Sequence, residues 1–78
     1  NTYLALVGQY GYELAGIAAK HGIDIDIVFA ALLTEPRISP TAPLSPGRRP
    51  TGHLTREVRR LFDLGGGILI DALESACE

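Results

Sequence analysis

The sequence contains one cysteine, no methionine and no proline outside residues 36–50. Because Cys77 has no second cysteine to pair with, the chain lacks the internal disulfide that staples many small secreted domains, and we expect a cytoplasmic protein. Its apolar runs are broken after a few residues by Gly, Asp, Glu or Lys, far short of the roughly 20 apolar residues of a membrane-spanning helix. The absence of methionine, even at position 1, leads us to expect a piece of a longer chain or a processed product.

Length and composition allow one small folded domain. The chain has 78 residues, of which 46% are hydrophobic and 21% charged, a balance typical of globular rather than disordered proteins. A chain of this size buries only about 60% of the surface that it exposes when unfolded. It therefore has no room for a two-domain enzyme.

The five prolines divide the chain into two proline-free segments. Proline fixes φ and lacks the amide hydrogen, so a segment this rich in proline sustains neither a helix nor a central strand. We predict a helical unit at residues 1–35, a Pro/Arg-rich linker at 36–52 and a second helical unit at 53–78. The predicted fold is all-α, a small bundle of about four to five helices with the long Pro-rich linker between its two helical units.

The first unit has the apolar periodicity of three short helices. The first helix covers residues 2–10 and ends among glycines. The second begins at Glu13 and ends at Gly22, because glycine readily adopts the left-handed conformation that closes a helix. The third has Asp24 as its N-cap and ends near Glu35, just before the first proline.

The second unit contains one strongly amphipathic helix followed by a weaker one. Thr55 is predicted to be the N-cap of the first, whose apolar side carries Val58 and Leu61. The three glycines at 65–67 predict a break, because each costs about 1 kcal/mol relative to alanine inside a helix. A last helical stripe starts at Leu69 and runs to the end of the chain.

Positive charge is concentrated in the centre of the chain. Residues 36–60 carry a net charge of +5, whereas residues 1–35 carry −3 and residues 61–78 carry −4. Arginine binds phosphate and carboxylate groups in a bidentate manner, although a charged stretch of this kind is more often solvated surface. The arginines of this region are Arg37, Arg48, Arg49, Arg56, Arg59 and Arg60.

No constellation of side chains in the sequence indicates catalysis or a cofactor. Cys77 lies one residue from the chain end, and His21 and His53 are far apart, so we expect no nucleophile with an adjacent base. One cysteine and two distant histidines do not supply the ligands of a zinc site. We therefore expect a protein that is not an enzyme and that uses no metal or cofactor.

A helix-turn-helix DNA-binding regulator is one alternative, because Ala18, Gly22 and Val28 have the spacing that lets two helices cross closely. The second of these helices begins with Asp24 and Asp26 and offers no Arg, Lys, Asn or Gln to a base edge. We therefore do not expect a nucleic-acid partner. A second alternative is a structural or assembly subunit that uses the same helices.

Three segments carry a family resemblance through their motifs and their order: LALV at 4–7, LAGIAAKHGIDID at 14–26 and LTREVRRLFDL at 54–64. They resemble, in turn, the second helix, the third helix with its turn into the fourth, and the opening of the second repeat in the N-terminal (Clp repeat) domain of the Clp/Hsp100 unfoldases, in the ClpC-like branch. Arg56 stands where that family has proline, and the glycines at 65–67 have no counterpart in it.

The resemblance implies a non-enzymatic interaction module that docks adaptor proteins or tagged substrates for an unfoldase or protease. It also implies binding of phosphoarginine in the ClpC branch, where the threonine matching Thr55 helps to line the pocket. The short chain leads us to expect, in addition, packing on a partner or on a second copy of itself. The candidate ligand-binding residues are Thr55, Arg56, Arg59 and Arg60, and the candidate partner contacts are Arg48 and Arg49.

Overall fold

Four α-helices make up the regular structure of the described part of the chain. The computed structural model describes residues 2–38, 47 and 49–77. The helices are α1 (Thr2–Lys20), α2 (Ile25–Leu32), α3 (Gly52–Asp63) and α4 (Ile68–Ala76), and these described residues contain no strand. The prediction of a small all-α helical protein is confirmed.

The predicted Pro/Arg-rich linker lies largely outside the described residues, because it includes 39–46 and 48. Residues 36–38 form turns and bends after α2, and residues 49–51 lead without helical structure into α3. The first residue of α3, Gly52, is the last residue of the predicted linker.

α1 is one continuous helix where the sequence predicted two short ones. The predicted interruption at Gly8 and Gly11 does not occur, although a glycine inside a helix costs about 1 kcal/mol relative to alanine. Gly11 is buried, and α1 packs against each of the other three helices. Tertiary packing along the helix therefore outweighs its weak local propensity, and the described residues 2–35 hold two helices rather than three.

The end of α1 and the start of α2 follow the local signals in the sequence. Gly22 has a φ of +66°, and the Ile23 amide donates a hydrogen bond to the Ala18 carbonyl at 2.9 Å, as in a Schellman motif. Asp24 caps α2, since its Oδ1 accepts a hydrogen bond from the Asp26 amide at 2.9 Å. Both predictions are confirmed.

α2 contacts the rest of the described helices through α1. Among the four helices it packs only against α1, and of its eight residues, all apolar except Asp26, only Phe29 is buried. The helix ends at Leu32, slightly before the predicted end near Glu35. The Thr34 hydroxyl donates to the Ala31 carbonyl at 2.7 Å, a local bond that competes with continuation of the helix.

α3 begins earlier than predicted, so the assignment of Thr55 as its N-cap is wrong. The N-cap is Thr51, whose carbonyl accepts a hydrogen bond from the Leu54 amide at 3.2 Å. The chain can turn into the helix here because Gly52 has a φ of +58°, a conformation that other residues rarely adopt. Thr55 lies inside the helix, where its hydroxyl donates to the Pro50 carbonyl at 3.1 Å.

The glycines at 65–67 separate α3 from α4, as predicted. α3 ends at Asp63 and α4 begins at Ile68, and Gly65 reverses the chain with a φ of +96°. The two helices therefore form an α-hairpin whose members pack on each other and on α1.

The core joins residues from both ends of the chain. Ala5 of α1, Val58 of α3 and Leu73 of α4 form the buried cluster, and Val58 is completely inaccessible to solvent. Three partly buried side chains pack against this cluster: Leu6, Leu54 and Cys77.

The segment before α3 is attached to α4 and to α1. The Arg49 Nε donates to the Ala76 carbonyl at 2.9 Å, at the helix end where carbonyls lack intrahelical partners and a cation is favourable. Gly47 lies against the backbone of α1 at Gly8. The chain thus contacts α1 at a point where α1 has no side chain.

Candidate binding groove

A groove between α1 and α4 is the candidate binding site, with a volume of about 190 Å³. Each helix lines the groove with one of its faces, because the lining residues are spaced i, i+3, i+4 and i+7 on α1 and i, i+3 and i+4 on α4. They are Leu6, Gln9, Tyr10 and Glu13 on α1 and Leu69, Ala72 and Leu73 on α4.

The groove combines a buried base with exposed apolar sides. Leu73 is part of the core and is 3% exposed, whereas Leu69 is 64% and Tyr10 50% exposed. Contiguous exposed apolar surface marks interaction sites in small proteins, and buried aromatic and aliphatic anchors dominate binding energy at such sites. The lining can therefore take up an apolar group and remove both exposed side chains from water.

Gln9 gives the groove its polar chemistry. Its Nε2 donates a hydrogen bond to Glu13 Oε2 at 2.7 Å, a contact that the i, i+4 spacing on α1 allows. The bond fixes the orientation of the amide, because the opposite orientation would place its oxygen against the carboxylate. The Gln9 Oε1 is then buried and has no hydrogen-bond partner among the described residues. Such an acceptor costs about 1–3 kcal/mol.

The candidate arginines of α3 lie together on the exposed side of that helix. Arg56, Arg59 and Arg60 are all exposed, and their i, i+3 and i+4 spacing makes them neighbours. Arg59 is 3.7 Å from a carboxylate oxygen of Glu74 on α4, and Arg60 is 3.4 Å from Glu57. Exposed pairs of this kind contribute at most about 1 kcal/mol each.

The other candidate residues do not join these arginines. Thr55 is 5% exposed, whereas Arg56 is exposed. The side chain of Arg49 is half-buried and bonded to the end of α4, which gives it a structural role in this chain. Arg48 lies outside the described residues.

The pKa of Glu35 is shifted, and this residue does not line the groove. The side-chain hydrogen bond from Arg37 lowers the pKa of Glu35, helped by a bond from the Arg37 amide. The Nε of Arg37 is 2.6 Å from Glu35 Oε1. Both groups belong to the turn after α2, so the shift describes a local turn contact.

The described residues hold no group of three His, Cys, Asp or Glu side chains that could bind a metal ion. Cys77 is half-buried, and its thiol donates to the Leu73 carbonyl at 3.4 Å. No described helix has the length and hydropathy needed to span a bilayer.

The sequence did not identify the groove, since none of its lining residues was among the predicted site residues. One feature of the sequence could have indicated the groove. The polar residues Gln9 and Glu13 interrupt a helix face that is otherwise apolar at Leu6 and Tyr10. The sequence could not indicate that α4 forms the opposite wall, because Leu69 is distant along the chain.

Comparisons with family models, with curated proteins and with solved structures find no match to this chain.

Proposed function

We propose that the protein is a non-enzymatic docking module that binds an amphipathic helix of a protein partner in the groove between α1 and α4. The observation that carries this proposal is the apolar groove itself, in which Tyr10 and Leu69 remain largely exposed beside the buried Leu73. A helix lying between two helices buries its apolar face by inserting side chains at one-turn intervals.

The size of the groove favours a side chain over a small-molecule ligand. Sites for small molecules have volumes of about 300–1,000 Å³ and enclose most of their ligand, whereas this groove has about 190 Å³. It is therefore suited to one or two apolar side chains from a surface that extends beyond it. A partner helix supplies such a surface.

The family resemblance supplies the class of partner. If the Clp repeat motifs at residues 14–26 and 54–64 reflect common function, the helix belongs to an adaptor or tagged substrate of a cytoplasmic unfoldase. The exposed arginines of α3, Arg56, Arg59 and Arg60, then offer a second contact to acidic or phosphorylated groups of that partner. This part of the proposal is supported by the sequence motifs alone.

A second candidate function, assembly with further copies of the chain, is favoured by the surface of α1 and α2. Ile17, Ile23 and Ile27 are 54%, 52% and 68% exposed, and α2 is apolar around most of its circumference. A helix that is apolar on all sides is normally covered. This surface and the groove use different residues, so the two functions are compatible.

The test is binding of a purified Clp adaptor to the full chain and to two variants at exposed leucines. Leu69→Ser removes an apolar side of the groove, and we expect it to weaken binding about 10-fold or more, since burial of a leucine contributes about 1.5–3 kcal/mol. Leu64→Ser is the matched control, because Leu64 is 82% exposed and does not line the groove. Binding that Leu69→Ser leaves unchanged would contradict the groove as the site, and no binding by the unmodified chain would contradict the adaptor as partner.

A further inference from the structure

We infer that the groove selects a helix that carries a lysine or arginine about one turn from its apolar anchor. The inference rests on the proposed docking function and adds the chemistry of the residue that is recognised. It is drawn from the hydrogen-bond acceptors that Gln9 and Glu13 place at the groove and from the charges of the helices that form it.

Two side chains supply these acceptors. The Gln9 Oε1 is buried and has no partner among the described residues, and the Glu13 carboxylate accepts one hydrogen bond, from Gln9 Nε2 at 2.7 Å. An ionised carboxylate has about four lone-pair sites, so Glu13 can accept further bonds. The side-chain amide of Gln9 is itself a donor in the groove, but its Nε2 already donates to Glu13.

The charges of the two helices that form the groove favour the same kind of partner. Among the described residues, no Lys or Arg lines the groove, and Glu13 is the one charged residue that does. α4 carries Asp71 and Glu74 and no cation. Among the described residues, Arg59 lies 3.7 Å from Glu74 and Arg49 donates to the Ala76 carbonyl at 2.9 Å, and neither arginine lines the groove. A cationic side chain therefore meets acceptors and negative charge here, whereas an anionic one meets repulsion.

A lysine or arginine can donate to the exposed Glu13 carboxylate in the bound state. These long side chains place their methylene groups along apolar surface and extend a charged donor beyond it, which suits a groove with apolar sides and acceptors on α1. Hydrogen bonds from a charged donor are about twice as strong as neutral ones. A partner that lacks this donor forms no such bond, so the contact distinguishes between partners that share the same apolar anchor.

The experiment compares two labelled alanine-based helical peptides of about 18 residues, long enough to form helix in water. Both have leucine anchors at i, i+3 and i+7, and they differ at i+4, which is lysine in one and glutamate in the other. Their affinity for the full chain is measured by fluorescence anisotropy, and amide chemical shifts identify the helices that they contact. We expect the lysine peptide to bind about 10-fold more tightly and to shift residues of α1 and α4.

Two variants with the same charge change separate a specific contact from general attraction. Glu13→Gln should remove most of the lysine preference, whereas Asp63→Asn, on an exposed part of α3 outside the groove, should retain it. Gln9→Leu provides a second test in the groove, because it removes the hydrogen bond that holds the Glu13 carboxylate without changing charge and should also reduce the preference. Circular dichroism checks that each variant is folded.

The outcomes separate the inference from the proposed function. Equal binding of both peptides to the groove would overturn the lysine preference and leave the docking function intact. A preference that Asp63→Asn reduces as much as Glu13→Gln would also overturn the inference, because it would reflect net charge. Failure of both peptides to bind would contradict the docking function itself.

Discussion

Gly47 lies so close to Gly8 that a Cβ atom at position 47 would overlap the Gly8 carbonyl oxygen and would come within 3.0 Å of the Tyr12 amide nitrogen. Gly47 also has a φ of +61°, which favours glycine. Two independent features of the backbone therefore require glycine at this position, where the chain meets α1 before entering α3.

We expect Gly47→Ala to destabilise the protein by about 1–3 kcal/mol, through strain and through displacement of the segment from α1. Gly16→Ala is the control, because Gly16 is exposed on α1 and a Cβ there meets nothing within 4 Å. That change should stabilise the protein by about 0.5–1 kcal/mol. Urea unfolding followed by circular dichroism measures both, and equal effects of the two substitutions would argue against the close packing.

Thr55→Val tests whether the hydroxyl of Thr55 stabilises the folded protein. Valine retains the volume but loses the hydroxyl that donates to the Pro50 carbonyl at 3.1 Å, so we expect a loss of about 1–2 kcal/mol of unfolding free energy. Thr55→Ser keeps the hydroxyl and should retain the hydrogen bond. Full stability of Thr55→Val would show that the bond contributes little and would leave a ligand-binding role for the hydroxyl open to test.

Arg37→Ala should raise the pKa of Glu35 towards its ordinary value, because the Arg37 hydrogen bonds hold that pKa down. In the intact protein the contribution of the pair is present above the ordinary pKa of a glutamate and is lost as pH falls through the lowered value. NMR titration of the Glu35 side chain measures the shift. Because both groups are at the surface, an effect on the midpoint of thermal unfolding at neutral pH would be unexpected.

Self-association through α2 is tested by Ile27→Glu. Ile27 is 68% exposed on α2, and Ile17 on α1 and Ile23 in the turn between the two helices are also exposed. We expect sedimentation equilibrium to show association of the unmodified chain, weakened about 10-fold or more by the substitution, since burial of isoleucine contributes about 1.5–3 kcal/mol. The control is Ile68→Glu, at a residue 90% exposed on α4, and an equal effect there would indicate nonspecific apolar association.

Local signals in the sequence predicted the parts of the fold that local chemistry determines. Gly22, Asp24 and the glycines at 65–67 end or start helices by backbone conformation or by a single side-chain bond. Such features depend on a few neighbouring residues, and the sequence displays them directly. The all-α architecture follows from the helical spacing of apolar residues in the two proline-free segments.

The sequence could not predict features that depend on contacts between distant segments. The continuity of α1 through Gly8 and Gly11 depends on packing against the other helices, which local propensity does not include. The position of Thr55 depends on where α3 begins, and Thr51 and Gly52 set that point. The groove was not predicted because Gln9 and Leu69 become neighbours only when α4 packs on α1.

The groove forms only in the completely folded chain, because the buried cluster of Ala5, Val58 and Leu73 holds its helices together. Its two walls come from opposite ends of the chain, so the long loop between them must close before either wall has its counterpart. An unfolded or half-formed chain offers no such site, and a helix that binds there draws the equilibrium towards the native state. Occupancy and folding are thus thermodynamically linked, and a ligand for the groove should raise the midpoint of thermal unfolding in proportion to the logarithm of its concentration.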